Sequence, residues 1–216
     1  MADKVKIDIV SDVVCPWCTV GYKRLEQAIN ELGIQNQVEI EWQPFELNPH
    51  MSNEGQNLKE HMIEKYNLNT EKLNEIQQYM TDAANEVDFV FDFHDEMLMV
   101  NTFEAHVLLE YAKDFDKQTD LKLRLMTAYF SNKEDVSKRA VLKQALLDVG
   151  LNAEEALARL DNEEALQEVQ SKQDYWKNLG VSSVPTIVFN RKSAVTGAQP
   201  IDTLKKVLTD VVAQNN

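Results

Sequence analysis

Both cysteines of this 216-residue chain fall in one tetrad, Cys15-Pro16-Trp17-Cys18. Two thiols at that spacing can close a structural disulfide, supply half of a tetrahedral metal site, or pass a disulfide to and from another molecule. Closing so small a loop stabilises a fold by only about 2 kcal/mol on the loop-entropy argument. A metal site needs two more Cys or His ligands. No third cysteine exists, and His50, His61, His94 and His106 show no short His-to-His spacing, so zinc would require ligands brought from far apart or from a second chain. No metal is expected.

Thiol–disulfide exchange suits the surroundings better. Pro16 fits the first position of a helix, where its missing N–H costs nothing, and this makes Cys15 the N-cap. A sulfur there faces free backbone N–H groups and the positive end of the helix dipole, which favour thiolate over thiol. Cys15 is therefore the expected nucleophile. Cys18, one turn further in on the same side, is expected to be more buried, less acidic and the resolving thiol. Trp17 would set an apolar face beside the reactive sulfur.

The elements around the pair must hold it in place. In 4–10, Val5, Ile7 and Ile9 alternate with Lys6 and Asp8, the period of a strand with one solvated face. Tyr22, Leu25, Ile29 and Leu32 form a helical stripe over 16–32, with Gly33 at the left-handed stop. Val38, Ile40 and Trp42 alternate in a second strand. Strand, helix and strand make a βαβ unit with parallel strands. From about 50 to 179 helical spacing prevails, with capping boxes at Asn152/Glu155 and Asp161/Glu164. Phe89, Phe91 and Phe93 alternate like a strand but have no partner strand in view. They are expected as an extended loop filling a gap between helices, and a groove lining is the second reading. Strands return at 186–190 and 193–196, joined by Asn190-Arg191-Lys192. A final helix starts at Pro200, with Gln214-Asn215-Asn216 frayed.

Composition narrows the function. Asp and Glu number 36 against 22 Lys and Arg, a net charge of −14, which repels phosphate backbones and anionic lipid. No nucleic acid and no membrane partner is expected. The opening residues carry charges between the apolar ones, without the apolar run of a leader. A cytoplasmic protein is expected, in a compartment where structural disulfides are rare and CxxC pairs are catalytic or metal-binding.

Together "SDVVCPWC", "PFELNP" (44–49), "NTFEAH" (101–106), "VPTIVF" (184–189) and "TGAQP" (196–200) resemble the DsbA family of thioredoxin-fold disulfide oxidoreductases, in its FrnE-like branch. The resemblance implies an α/β thioredoxin fold, residues 1–49 and 180–216, interrupted by a large all-α subdomain, 50–179. It implies exchange of disulfides with a thiol/disulfide protein or small molecule, and a cis-proline at Pro185 facing the CxxC. No cofactor is expected beyond the redox-active pair, with glutathione as a candidate co-substrate and a monomer or homodimer as the assembly. This chain lacks the second, C-terminal cysteine pair of some FrnE-like proteins, which excludes relay to such a pair.

Trp17, Val184, Pro185, Phe45 and His106 are the substrate-binding candidates. The Val184 backbone N–H and C=O would point outward to pair with an extended substrate. For Phe45 the core is the plainer reading, with the site floor second. For His106 the plainer reading is helix packing or surface, with a groove position second. Asp12 reads as a turn acceptor. The alternative function is a glutathione-dependent isomerase or transferase of the hydroxychromene-carboxylate isomerase or kappa-class type. A non-catalytic binding module would leave the CPWC pair unexplained.

Overall fold

The computed structural model describes residues 4–215. Its main sheet has four strands. β1 (Val5–Ser11) runs parallel to β2 (Val38–Pro44), with Ile7 opposite Ile40 and Ile9 opposite Trp42. α1 (Pro16–Leu32) is the crossover between them. On the other side of β1 lies antiparallel β5 (Thr186–Phe189), followed by edge strand β6 (Ser193–Thr196), giving the order β2-β1-β5-β6. The β5–β6 turn places Asn190 and Arg191 at positive φ, 50° and 54°, as a tight hairpin requires.

Between β2 and β5 the chain is mainly helical: α2 (Leu58–Tyr66), α3 (Thr70–Asn85), α4 (Phe103–Lys113), α5 (Gln118–Phe130), α6 (Arg139–Asp148), α7 (Ala153–Ala158) and α8 (Glu163–Asn178). α9 (Ile201–Asn215) closes the chain against α1. It continues to Asn215, whose Oδ1 accepts a hydrogen bond from Asn190 Nδ2 at 3.3 Å. Of the residues expected to fray, Asn216 lies outside those described.

Three differences from the sequence reading have physical causes. Asp8 was expected on a solvated face but is fully buried, because that face is covered too. Val10, Phe45, Trp176 and Val188 make a second apolar cluster there, and Trp176 Nε1 of α8 donates to Gln43 at 3.2 Å. Second, the helical segment contains a two-residue ladder, β3 (Gln56–Asn57) with β4 (Leu98–Met99), too short to leave a period in the sequence. Third, α8 is capped by Asn162, whose side chain accepts from the Ala165 N–H. Asp161 instead ends a short 3-10 turn.

Residues 89–94 hold no regular structure. Phe89 and Phe91 are buried, Phe91 against Phe130 at 4.7 Å between ring centres, while Phe93 reaches a groove described below. β2 is the edge strand on its side of the sheet. Gln118 of α5 occupies its free edge, accepting from Trp42 N at 2.8 Å and donating to Trp42 O at 3.0 Å. A side-chain amide thus completes the hydrogen bonding that a further strand would supply.

Candidate active site

α1 begins as its sequence dictates. Cys15 is the N-cap in extended conformation and Pro16 opens the helix. The carbonyl of Cys15 accepts from the Cys18 N–H at 3.1 Å. Both cysteines are thiols and both are buried, Cys15 at 3% exposure and Cys18 at 0%. Only Cys15 lines a groove. Burial, followed by the hydrogen bond and proximity to Cys15, pushes the Cys18 thiol well above the ordinary range.

The Val184–Pro185 peptide is cis. The Val184 carbonyl does not point outward: it accepts from the Cys15 thiol at 3.7 Å. In the dithiol state this backbone acceptor is therefore engaged by the nucleophile itself. The Pro185 ring lies over Gly21 of α1, and its carbonyl accepts from the Gly197 N–H at 2.8 Å. Gly21 was not singled out from sequence, because a glycine inside a helix shows its purpose only when the facing loop is placed.

The groove beside Cys15 has a volume of about 320 Å³ and is mainly apolar. Trp17 and Val184 form part of its rim, and Met62, Met80, Phe93 and Met99 come from the helical segment. Trp17 is half-buried, with its ring 5.4 Å from that of Tyr79. The ring nitrogens of His61 are held by Gln56 at 2.8 Å and Asn48 at 3.1 Å. A larger depression of about 560 Å³, between 94–98 and 133–135, contains neither cysteine. Among the described residues no group of three or more His, Cys, Asp or Glu is placed to hold a metal ion.

Two sequence candidates lie elsewhere. Phe45 belongs to the cluster with Val10, Trp176 and Val188, below the sheet face and outside the groove lining. His106 is buried at 2% exposure and does not line the groove either. Its Nε2 sits 3.3 Å from Asp12 Oδ1, within ion-pair reach but off line for a hydrogen bond. Asp12 is more than a turn residue: Oδ2 accepts from Leu47 N at 2.8 Å, tying the segment after β2 to the CxxC loop. Burial acts to raise the Asp12 pKa, but His106, the Leu47 N–H and Lys122 more than offset it and hold the carboxyl below its usual range.

Sequence reasoning missed Lys122. It lies on α5, far along the chain from the cysteines, fully buried, with its ammonium 5.2 Å from the centre of the Trp42 ring. Burial lowers its pKa to about 8 against the opposing pull of Cys18, Asp12 and Cys15. Its position in an apolar helical stripe, where a lysine has no reason to be, was the available signal.

The arrangement offers one thiol at a groove, a second behind it, and buried charge beneath both. A model of the DSBA-like thioredoxin domain matches residues 6–209. The uncharacterized protein YwbO of Bacillus subtilis (strain 168) is 26% identical over 208 residues, covering 95% of this chain and 96% of that protein. The crystal structure of a probable DsbA oxidoreductase, SCO1869 from Streptomyces coelicolor, is 27% identical and superimposes with a TM-score of 0.91 over 97% of this chain and 91% of that one. A 2-hydroxychromene-2-carboxylate isomerase shares the fold with a TM-score of 0.73, at 13% identity over 97% of each chain.

Proposed function

The chain belongs to the DSBA-like thioredoxin domain family and is a DsbA-like thiol–disulfide oxidoreductase; from that premise we propose that its exchange runs through Cys15 as nucleophile and Cys18 as resolving thiol. The observation that carries this is the split in environment between two thiols one helical turn apart. Cys15 opens to the groove, while Cys18 is sealed from solvent with its thiol form favoured. A substrate sulfur can reach only the first, and the second is placed to displace it. Trp17 and Val184 at the groove rim contact the substrate, and Pro185 holds the Val184 carbonyl at Cys15.

We further place the protein in the cytoplasm, with a protein or small-molecule disulfide as substrate and glutathione as candidate co-substrate. The lone CxxC and the acidic surface support this reading. Among the described residues no helix is long and apolar enough to cross a membrane. The test is trapping. Cys18→Ser should accumulate a mixed disulfide with a model substrate, and Cys15→Ser should form none. Full exchange by both variants sinks the assignment.

One observation favours a second reading, glutathione-dependent isomerisation of an aromatic substrate: the fold shared with the carboxylate isomerase. It predicts turnover of such a substrate with glutathione that survives Cys18→Ser. The reading fails if no turnover is seen.

A further inference from the structure

The groove beside Cys15 differs in charge from the chain that forms it. Asp and Glu make up 36 of the 216 residues, yet among the described residues none that lines the groove is acidic. Its walls are mainly apolar and come from several sides: the start of α1, α2, α3, Phe93, the end of α5 and the loop 182–184. A space of about 320 Å³ walled in this way suits the compact body of a small molecule better than an extended chain segment.

The basic side chains in the lining are His61 and Lys65, one turn apart on α2. The His61 ring is committed to Gln56 and Asn48. Burial, followed by the Lys65 ammonium, holds its pKa below the ordinary range, so the positive charge at neutral pH is that of Lys65. The Lys65 ammonium donates to two neutral oxygens, Asn48 Oδ1 at 2.6 Å and Leu47 O at 3.2 Å. Among the described residues no carboxylate lies within ion-pair distance of it. Glu64, its neighbour on α2, accepts from Gln56 at 2.7 Å and is not part of the lining. One lining thus holds a nucleophilic sulfur, an apolar space and a single unneutralised cation.

Resting on the oxidoreductase reading, we propose that the groove selects a small disulfide whose apolar body carries one carboxylate, and that Lys65 reads that carboxylate. The ammonium has three N–H donors and uses two, which leaves one for a monoanion. The apolar body gains by leaving water. Walls free of carboxylates spare the anion the repulsion that a net charge of −14 imposes elsewhere. Oxidised glutathione fits less well, because its several charges lie along a polar body that apolar walls cannot solvate. In the reaction the Cys15 thiolate attacks one substrate sulfur, and the other leaves with the electron pair as a thiolate. Cys18 then displaces the bound half, closing the Cys15–Cys18 bond. The substrate gains two electrons and becomes two thiols, taking up the two protons that the cysteines lose to solvent. A thiol reductant of the glutathione class returns the pair to dithiol.

The experiment compares two disulfides of one shape, that of para-mercaptobenzoic acid and that of its primary amide. Each is mixed with reduced protein, and release of the aromatic thiol is followed by stopped-flow absorbance. The acid-to-amide ratio of rates is divided by the same ratio for a free cysteine derivative, which removes intrinsic reactivity. The wild type should favour the acid about 3- to 10-fold at low salt, and added salt should shrink the preference. Lys65→Met should bring the ratio to one or below, Lys65→Glu should lower it further, and Lys65→Arg should keep most of it. Lys59→Met removes a cation from the same helix outside the lining and should leave the ratio as in wild type. On the same scale oxidised glutathione should react more slowly than the acid. The proposal is overturned by a wild-type ratio near one, by a ratio that survives Lys65→Met, by an equal loss in Lys59→Met, or by faster reaction with oxidised glutathione. If the wild type releases thiol from none of these disulfides, the oxidoreductase reading itself fails, which is a different result.

Discussion

The ring of Pro185 rests on Gly21: a Cβ at Gly21 would come within 3.0 Å of Pro185 Cγ and 3.4 Å of the Ala198 backbone. α1 can approach the loop before β5 this closely only because position 21 has no side chain. That approach keeps the Val184 carbonyl beside Cys15. In Gly21→Ala two effects compete. Helix propensity favours alanine by about 1 kcal/mol, and overpacking costs about 1–3 kcal/mol. A net loss of about 1 kcal/mol in denaturant titration is expected. Disulfide exchange should fall by a larger factor than that loss explains, because the loop must shift away from Cys15. Unchanged exchange would show that the close approach is packing alone.

The cysteines should differ sharply in reactivity. With the reduced protein and limiting iodoacetamide, peptide mapping should find the label on Cys15. Cys18 is wholly buried and its thiol form is favoured, and only the thiolate reacts. Label on Cys18 first would reverse the roles assigned here.

The framework that presents this pair was legible because it rests on local rules. The parallel β1–β2 pair, the Pro16-initiated helix ending at Gly33, and the hairpin at Asn190-Arg191 each follow from a period, a cap or a turn residue in a short window. The buried charges were not legible in that way. Asp8 reads as solvated until α8 is seen to cover its face. Asp12, His106 and Lys122 come from three separate segments, and no window contains two of them. Phe45 reads as core first and site floor second; it is core, outside the groove, and nothing in its sequence neighbours tells which of two clusters it joins. The groove had the same difficulty: Met62, Met80 and Phe93 meet Cys15 only through tertiary packing.

Asp12→Asn tests the anchor between the CxxC loop and the segment after β2. The Asp12 pKa is depressed in the folded protein, so its contribution is present above the unfolded value, about 3.9, and is lost as pH falls through the folded one. The variant should be less stable at pH 7 by about 1–3 kcal/mol, since the partner His106 and the buried site lose the charge they are built around. The two proteins should converge in acid, where the wild-type carboxyl is also protonated. An equal difference at every pH would assign the effect to geometry rather than charge.

Lys122→Met should have the opposite sign. A base whose pKa falls from 10.5 to about 8 on folding is still mainly charged at neutral pH, and that charge is less favourable in the folded protein than in the unfolded chain. Its folded-state contribution is full above the unfolded value and is lost as pH falls through about 8. The wild-type protein therefore carries a penalty near pH 7 that corresponds to about 3 kcal/mol for such a shift in a fully buried group. The Trp42 ring and the thiols already enter that balance. Methionine fills the space without a charge, so the variant should be more stable at pH 7. The gain should shrink steadily as pH rises from about 8 toward 10.4, where the unfolded lysine also loses its proton. Cys18 works against the wild type over the same range, because its raised thiol loses stability as pH passes the unfolded value near 8.5. Removing the Lys122 charge also removes a pull that lowers the Cys18 pKa, so the difference is read below the pH at which the thiol titrates. Urea titrations of the reduced wild type and variant at a series of pH values measure it directly. A variant less stable than wild type at pH 7 would mean that the ammonium is held by a partner strong enough to outweigh its burial.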